Sequence, residues 1–151
     1  MEAFRLELSQ GLTLYWTKVA ARADRHAVAH RLCETVTGRP LRFAESGRPY
    51  VPGGPYVSLS HSGALAMCAV SEAVVGVDLE RARPVSPRLL TRAKEAGYGG
   101  KREFLLWWTA REANCKRLGR GFTWSPLPEP EHCVQGTLEH AGGTYYYSVC
   151  W

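Results

Sequence analysis

Apolar and polar residues alternate through FRLELSQGLTLYWT, residues 4–17, on both sides of Gln10-Gly11. That period of two predicts a β-hairpin. In RADRHAVAHRLCETVTG, residues 22–38, the spacing of Ala27, His30, Leu32 and Val36 is near helical, with Asp24 as a cap and Gly38 as a stop. LRFAESGRPYVPGG predicts a short strand and a Gly/Pro-rich turn. Residues 57–81, VSLSHSGALAMCAVSEAVVGVDLER, predict strands at 57–60, 64–71 and 74–80. SPRLLTRAKEAG predicts a helix capped by Ser86, opened by Pro87 and ended by Gly97. KREFLLWWTAREANCKRLG predicts the strongest helix, with Phe104, Trp108, Cys115 and Leu118 on one face and Gly119 after its end. HCVQGTLEH and TYYYSVCW, around Ala141-Gly142-Gly143, predict a closing hairpin in which Tyr145, Tyr146 and Tyr147 are strand residues. Strands and helices mix without strict alternation, so the expected class is α+β.

Composition narrows this further. The 151 residues are 45% hydrophobic and 22% charged, which fits a globular chain and argues against disorder, a fibre or a coiled coil. No apolar run is long enough to span a membrane, and Met1-Glu2-Ala3-Phe4-Arg5 lacks the layout of a signal peptide. The expectation is a soluble, cytoplasmic protein that is not a membrane partner. Cys33, Cys68, Cys115, Cys133 and Cys150 are odd in number and contain no C-x-x-C pair, so buried thiols are expected rather than a disulfide framework or a zinc site. His26 and His30 could share a metal, but no third ligand completes the pattern.

The net charge of +5 is uneven. Residues 81–120 hold eleven basic and three acidic side chains, so the whole excess lies there. Such a stretch should attract an acidic partner: nucleic acid, an anionic cofactor or an acidic protein.

Candidate chemistry lies at the ends of the apolar strands. In VVGVDLE, Val75, Val77 and Leu79 point one way, and Asp78 and Glu80 point together the other way. A pair of this kind is either a solvated edge or a seat for a hard cation such as Mg²⁺. Glu112 falls at the border of the apolar face of its helix, with Lys116 one turn further on the same side. The plain alternative for those two is a surface ion pair. Trp107 and Trp108 read as core or cleft-wall residues.

VGVDLE followed by WTAREANCK and GRG resembles the signature of 4′-phosphopantetheinyl transferases of the monomeric, surfactin-synthetase-activating type, with SGRPY at 46–50 and SLSHS at 58–62 resembling two upstream motifs. The resemblance covers about residues 20–121. It implies two pseudo-symmetric α+β half-domains, residues 1–73 on the nucleotide side of the coenzyme A site and 74–151 carrying the metal and carrier-protein side, with the active site in the cleft between them. It implies transfer of 4′-phosphopantetheine from coenzyme A to a serine of an apo acyl or peptidyl carrier protein of fatty-acid, polyketide or nonribosomal-peptide synthesis, releasing adenosine 3′,5′-bisphosphate. Asp78, Glu80 and Glu112 correspond to the ligands of Mg²⁺, with Mn²⁺ as an alternative. Lys116 matches a lysine at the pyrophosphate, and Ser60 and His61 match positions at the phosphates. Gly47, Arg48 and Pro49 would lie along the nucleotide, and Arg25 and His26 near the 3′-phosphate. Asp78, Glu112 and Lys116 are thus the expected catalytic residues, with Glu112 as the base toward the carrier serine. A monomer and an acidic carrier protein as partner of the 81–120 stretch are expected in turn.

The chain departs from the family pattern in three places. The interval from Asp78 to Glu112 is shorter than usual, Arg111 stands where Lys normally precedes the Glu, and Lys18 and Arg22 alone represent the N-terminal basic cluster. Two other readings account for part of the sequence. A degenerate homologue would bind coenzyme A or a carrier without transfer. A basic nucleic-acid-binding module would leave the three carboxylates unexplained, which disfavours it. SLSHS lacks a Gly-x-Ser-x-Gly elbow, so a serine hydrolase is set aside.

Overall fold

The computed structural model describes residues 1–97 and 104–151. Its strands are β1 (Phe4–Ser9), β2 (Leu12–Lys18), β3 (Arg42–Phe43), β4 (Pro49–Tyr50), β5 (Tyr56–Ser62), β6 (Leu65–Ser71), β7 (Gly76–Arg81), β8 (Cys133–His140) and β9 (Gly143–Cys150). Its helices are α1 (Arg25–Thr37), α2 (Pro87–Glu95) and α3 (Phe104–Arg117). The mixture is α+β, as the pattern predicts. Lys101, Arg102 and Glu103 of the expected third helix lie outside the described residues.

The strands form a four-stranded sheet in the order β1-β2-β6-β5, a three-stranded sheet in the order β7-β9-β8, and the small β3-β4 pair. Every pairing is antiparallel. Leu12, Leu14, Leu65, Met67 and Ala69 of the larger sheet share one core with Val75, Val77, Leu79, Tyr145, Tyr147 and Val149 of the smaller one and its approach. The other face of the larger sheet is covered by α1, through Leu32 and Cys33 against Val57, Leu59 and Cys68. Helix α3 packs on β7 and β9. Burying apolar surface on both sheets is the main stabilising term, at about 25 cal/mol for each Å² removed from water.

Local chemistry fixes the elements. Asp24 caps α1 by accepting the amide protons of His26 and Ala27, and Gly38 ends it in the left-handed region at φ 65°. The inner face of α1 is Val28, Ala29, Leu32 and Cys33 rather than the expected row through Ala27 and His30. His30 is turned aside toward a cleft. Ser86 caps α2 through Leu89 N–H.

The seat of α3 differs in kind. A Cβ on Gly76 would lie 1.8 Å from the Ala113 carbonyl oxygen, so glycine is required where the helix crosses β7. Thr109 Oγ1 is 2.7 Å from Ser148 Oγ on β9, and Gln135 Nε2 donates to that same oxygen and to the Leu106 carbonyl. Phe104, Trp107 and Trp108 face away from the sheet and pack against Leu89, Leu90 and Trp124, which makes Trp107 and Trp108 packing residues. Arg111, the departure noted before Glu112, donates to the Thr123 carbonyl at 2.7 Å and to the Ser125 carbonyl. It thereby ties the segment after α3 back to the helix.

One expectation is corrected. Cys133 and Cys150 form a disulfide across β8 and β9, while Cys33, Cys68 and Cys115 are free and buried. The two cysteines are direct register partners, adjacent to the hydrogen-bonded pair His132 and Trp151. Their position is therefore a non-hydrogen-bonded one, where side chains approach most closely.

Candidate active site

A cleft of about 490 Å³ lies between α1, the β3-β4 turn, β5, β7 and the C-terminal end of α3. It brings together ten of the residues singled out from the sequence: His26, Gly47, Arg48, Pro49, Ser60, His61, Asp78, Glu80, Glu112 and Lys116. Arg25 does not line it. It stands at the start of α1, and its charge is felt at His61.

Proximity of β5 and β7 makes the cleft floor. Strand β7 is an edge of its sheet, so its outward amides need partners from elsewhere. They find them in the serines of β5. Ser58 Oγ accepts Val77 N–H at 3.0 Å, Ser60 Oγ accepts Leu79 N–H at 3.1 Å and Ser62 Oγ accepts Arg81 N–H at 3.0 Å. Lys116 closes the same seam from α3, its ammonium donating to the Leu59 and Val77 carbonyls and, at 2.8 Å, to Asp78 Oδ1.

Asp78 is buried, with 6% of its surface exposed. Its Oδ1 accepts from both Lys116 and Ser60, whereas Oδ2 is buried without a partner. Glu80 accepts from Ser62 at 3.3 Å and lies 3.9 Å from Arg83. Burial first, and the Asp78 carboxylate second, push the Glu80 and Glu112 carboxyls above the usual range. Two carboxyls raised beside the Asp78 carboxylate, together with its orphaned oxygen, suit a hard cation, which would relieve both the repulsion and the missing partner. As the side chains stand, no group of three or more His, Cys, Asp or Glu among the described residues is gathered to hold a metal ion.

The opposite wall is imidazole and guanidinium. The His26 ring centroid is 4.1 Å from that of His30 and 5.8 Å from that of His61, and His30 also meets Phe43 at 4.9 Å. Burial is the largest cause holding His30 and His61 below the ordinary histidine value, with the His26 charge second for each; Arg25 and Lys116 add to it at His61. Arg48 donates toward the Arg117 carbonyl at the end of α3. Of the two N-terminal basic residues, Lys18 pairs with Glu2 at 3.8 Å and stacks over Phe4.

Sequence reasoning passed over several residues here. Phe43 lines the cleft, and Ser62 and Arg83 contact Glu80; His30, weighed only as a metal partner of His26, and Arg120, quoted only within GRG, also line it. The repeat of serine at every second position of SLSHS was the available signal for Ser62. For Arg120 the signal was the GRG stretch at 119–121, which was matched as a motif without a role for its arginine.

The fold and cleft thus define an α+β protein whose carboxylate-and-lysine floor faces a wall of histidine and arginine. The chain is 28% identical over 91 residues to a 4′-phosphopantetheinyl transferase of Bacillus subtilis, covering 52% of this chain and 41% of that protein. It is 27% identical over 97 residues to the 4′-phosphopantetheinyl transferase Sfp of Bacillus subtilis (strain 168), covering 55% and 43%. The matches therefore span less than half the length of these curated relatives, and no family model matches the chain. Similarity to the 4′-phosphopantetheinyl transferase superfamily is what the comparisons support. No helix among the described residues is long and apolar enough to cross a membrane.

Proposed function

We propose that the chain transfers 4′-phosphopantetheine from coenzyme A to a serine hydroxyl of an apo acyl or peptidyl carrier protein, releasing adenosine 3′,5′-bisphosphate. The reading is carried by the convergence of Asp78, Glu80, Glu112 and Lys116 on one cleft, with Asp78 Oδ2 buried and unpartnered. Asp78, Glu80 and Glu112 would hold Mg²⁺, or Mn²⁺ in its place, which supplies charge neutralisation at the phosphate oxygens.

The chemistry asks mainly for positioning and electrostatics. Glu112 takes the proton from the carrier serine, directly or through water, and its raised affinity for protons suits it to that step. The serine oxygen bonds to the phosphorus that bears pantetheine, and the bond from that phosphorus to the bridging pyrophosphate oxygen breaks. Lys116 offers positive charge beside the pyrophosphate. Its protons are shared with two carbonyls and Asp78, so meeting an anion requires an exchange of partners. Gly47, Arg48 and Pro49 run along the nucleotide, Arg25, His26 and His61 serve its phosphates, and Ser60 stands among them.

On this reading residues 1–73 and 74–151 are two related halves, acting as a monomer in the cytoplasm. Arg83, Arg88, Arg92 and Lys94 are exposed along and before α2 and would steer an acidic carrier, a contribution that salt weakens.

The test is incubation of the chain with coenzyme A, Mg²⁺ and a panel of apo carrier proteins, followed by intact-mass measurement. One added phosphopantetheine on a carrier, lost when its serine is replaced by alanine, is the expected result. Absence of transfer to every carrier, with coenzyme A still bound, overturns the transferase reading in favour of a binding-only homologue.

A further inference from the structure

The serines of β5 divide into two kinds. All three accept an amide proton from the exposed edge of β7, a bond that the missing neighbouring strand would otherwise make. Ser58 is not bonded to a carboxylate. Ser60 also donates its hydroxyl proton to Asp78 Oδ1 at 3.0 Å, and Ser62 donates to Glu80 Oε2 at 3.3 Å. A hydroxyl has one proton, so in this arrangement neither serine has one left for a phosphate. Because each bridges a backbone amide and the carboxylate of the preceding residue, it fixes the rotamer of that carboxylate relative to the strand.

We infer that Ser60 and Ser62 are positioning residues that aim Asp78 and Glu80, with Ser58 a purely structural member of the same row. Ser60 and Lys116 hold Oδ1, which leaves Oδ2, buried and unpartnered, as the oxygen free to meet a cation. Ser62 does the same for Glu80, leaving Oε1 as its other oxygen. The inference rests on the proposed transferase reading, and it moves Ser60 from phosphate contact to orientation. Partners of this sort behind metal-binding carboxylates affect affinity by about 10- to 100-fold when removed.

The experiment uses the full chain with Mn²⁺ as the probe in the presence of coenzyme A, binding being followed by electron paramagnetic resonance. Ser62→Ala should weaken Mn²⁺ binding about tenfold, Ser60→Ala at least as much, and Ser62→Thr, which restores the hydroxyl, should recover most of the loss. Ser58→Ala should leave Mn²⁺ binding within about twofold. All three alanine variants should speed hydrogen exchange at the matching amide of Val77, Leu79 or Arg81 in the metal-free protein, which shows that the row is built as described. Equal Mn²⁺ affinities for wild type, Ser60→Ala and Ser62→Ala in a chain that transfers overturn this inference alone. An equal loss in Ser58→Ala overturns it too. A wild-type chain that neither transfers nor binds Mn²⁺ overturns both readings.

Discussion

The two main helices are held by different physics. Helix α1 lies on its sheet through Val28, Ala29, Leu32 and Cys33, an apolar contact with no directional requirement. Helix α3 is seated by a glycine-sized gap at Gly76, by the Thr109–Ser148–Gln135 chain of hydrogen bonds and by the Lys116 ammonium across two strands. Apolar packing fixes a helix in place to within the give of its side chains, while hydrogen bonds and a backbone contact fix its height and rotation. The helix that presents Glu112 and Lys116 has the second kind of seat. Placement, more than burial, is what its end of the cleft demands.

The largest effect should come from Gly76→Ala. The added methyl meets the Ala113 carbonyl at 1.8 Å and the Arg117 amide nitrogen at 2.6 Å, both backbone, so α3 must lift. A shift of about 1 Å should lower transfer about 100-fold, read as kcat/KM with a carrier protein. Leu32→Ala, under α1, should instead cost about 3 kcal/mol in urea unfolding and leave turnover of the folded fraction within a few-fold. If its turnover falls as far as that of Gly76→Ala, the two seats are not different in kind.

Lys116→Met should cost about 2 kcal/mol, less than a fully buried pair, because the Lys116 side chain keeps 32% of its surface. Most of that loss is the Asp78 carboxylate left unpaired. Pairing it with Asp78→Asn should therefore recover part of the stability, though not activity.

Acid should act with opposite signs on the two walls of the cleft, the smallest effect of the set. The folded state holds His30 and His61 below the ordinary value of 6.5, so it binds fewer protons there than the unfolded chain. Their contribution is present above about pH 6.5 and is lost as the pH falls through and below it. Glu80 and Glu112 are raised, so their contribution is present below about pH 4.5 and is lost as the pH rises through their folded values. A His30→Asn, His61→Gln variant should accordingly keep more of its thermal midpoint between pH 7 and 5 than the wild type does.

Much of this molecule was readable as pattern. The hairpin at Gln10-Gly11, the caps at Asp24 and Ser86 and the closing hairpin follow from local rules, and the structure places them accordingly. The disulfide was readable too, but only after one further step. Ala141 and Gly142 both have positive φ, as a two-residue hairpin turn requires, and Cys133 and Cys150 are the far ends of the eight-residue strands on either side. Counting outward from that turn pairs them, whereas spacing motifs alone do not. The inner face of α1 was misread because His30 sits at a core-like position yet turns to the cleft. The serine row was beyond local reading. Alternation in SLSHS looks the same whether a hydroxyl faces water or the edge of a strand from another sheet, and only the docking of the two sheets decides which.

The free thiols make the contrast between the helices measurable without any label. Cys33 belongs to α1 and Cys115 to α3, and both are fully buried. An alkylating reagent can reach either one only through a local opening, so the rate at which each cysteine-bearing peptide gains mass reads the opening frequency at its own position. Cys33 also shares a hydrogen bond with Cys68 of β6 that favours its thiolate, so its rate must be corrected for that reactivity before the two are set side by side. The chain thus contains a pair of internal clocks, one on the buried face of each helix.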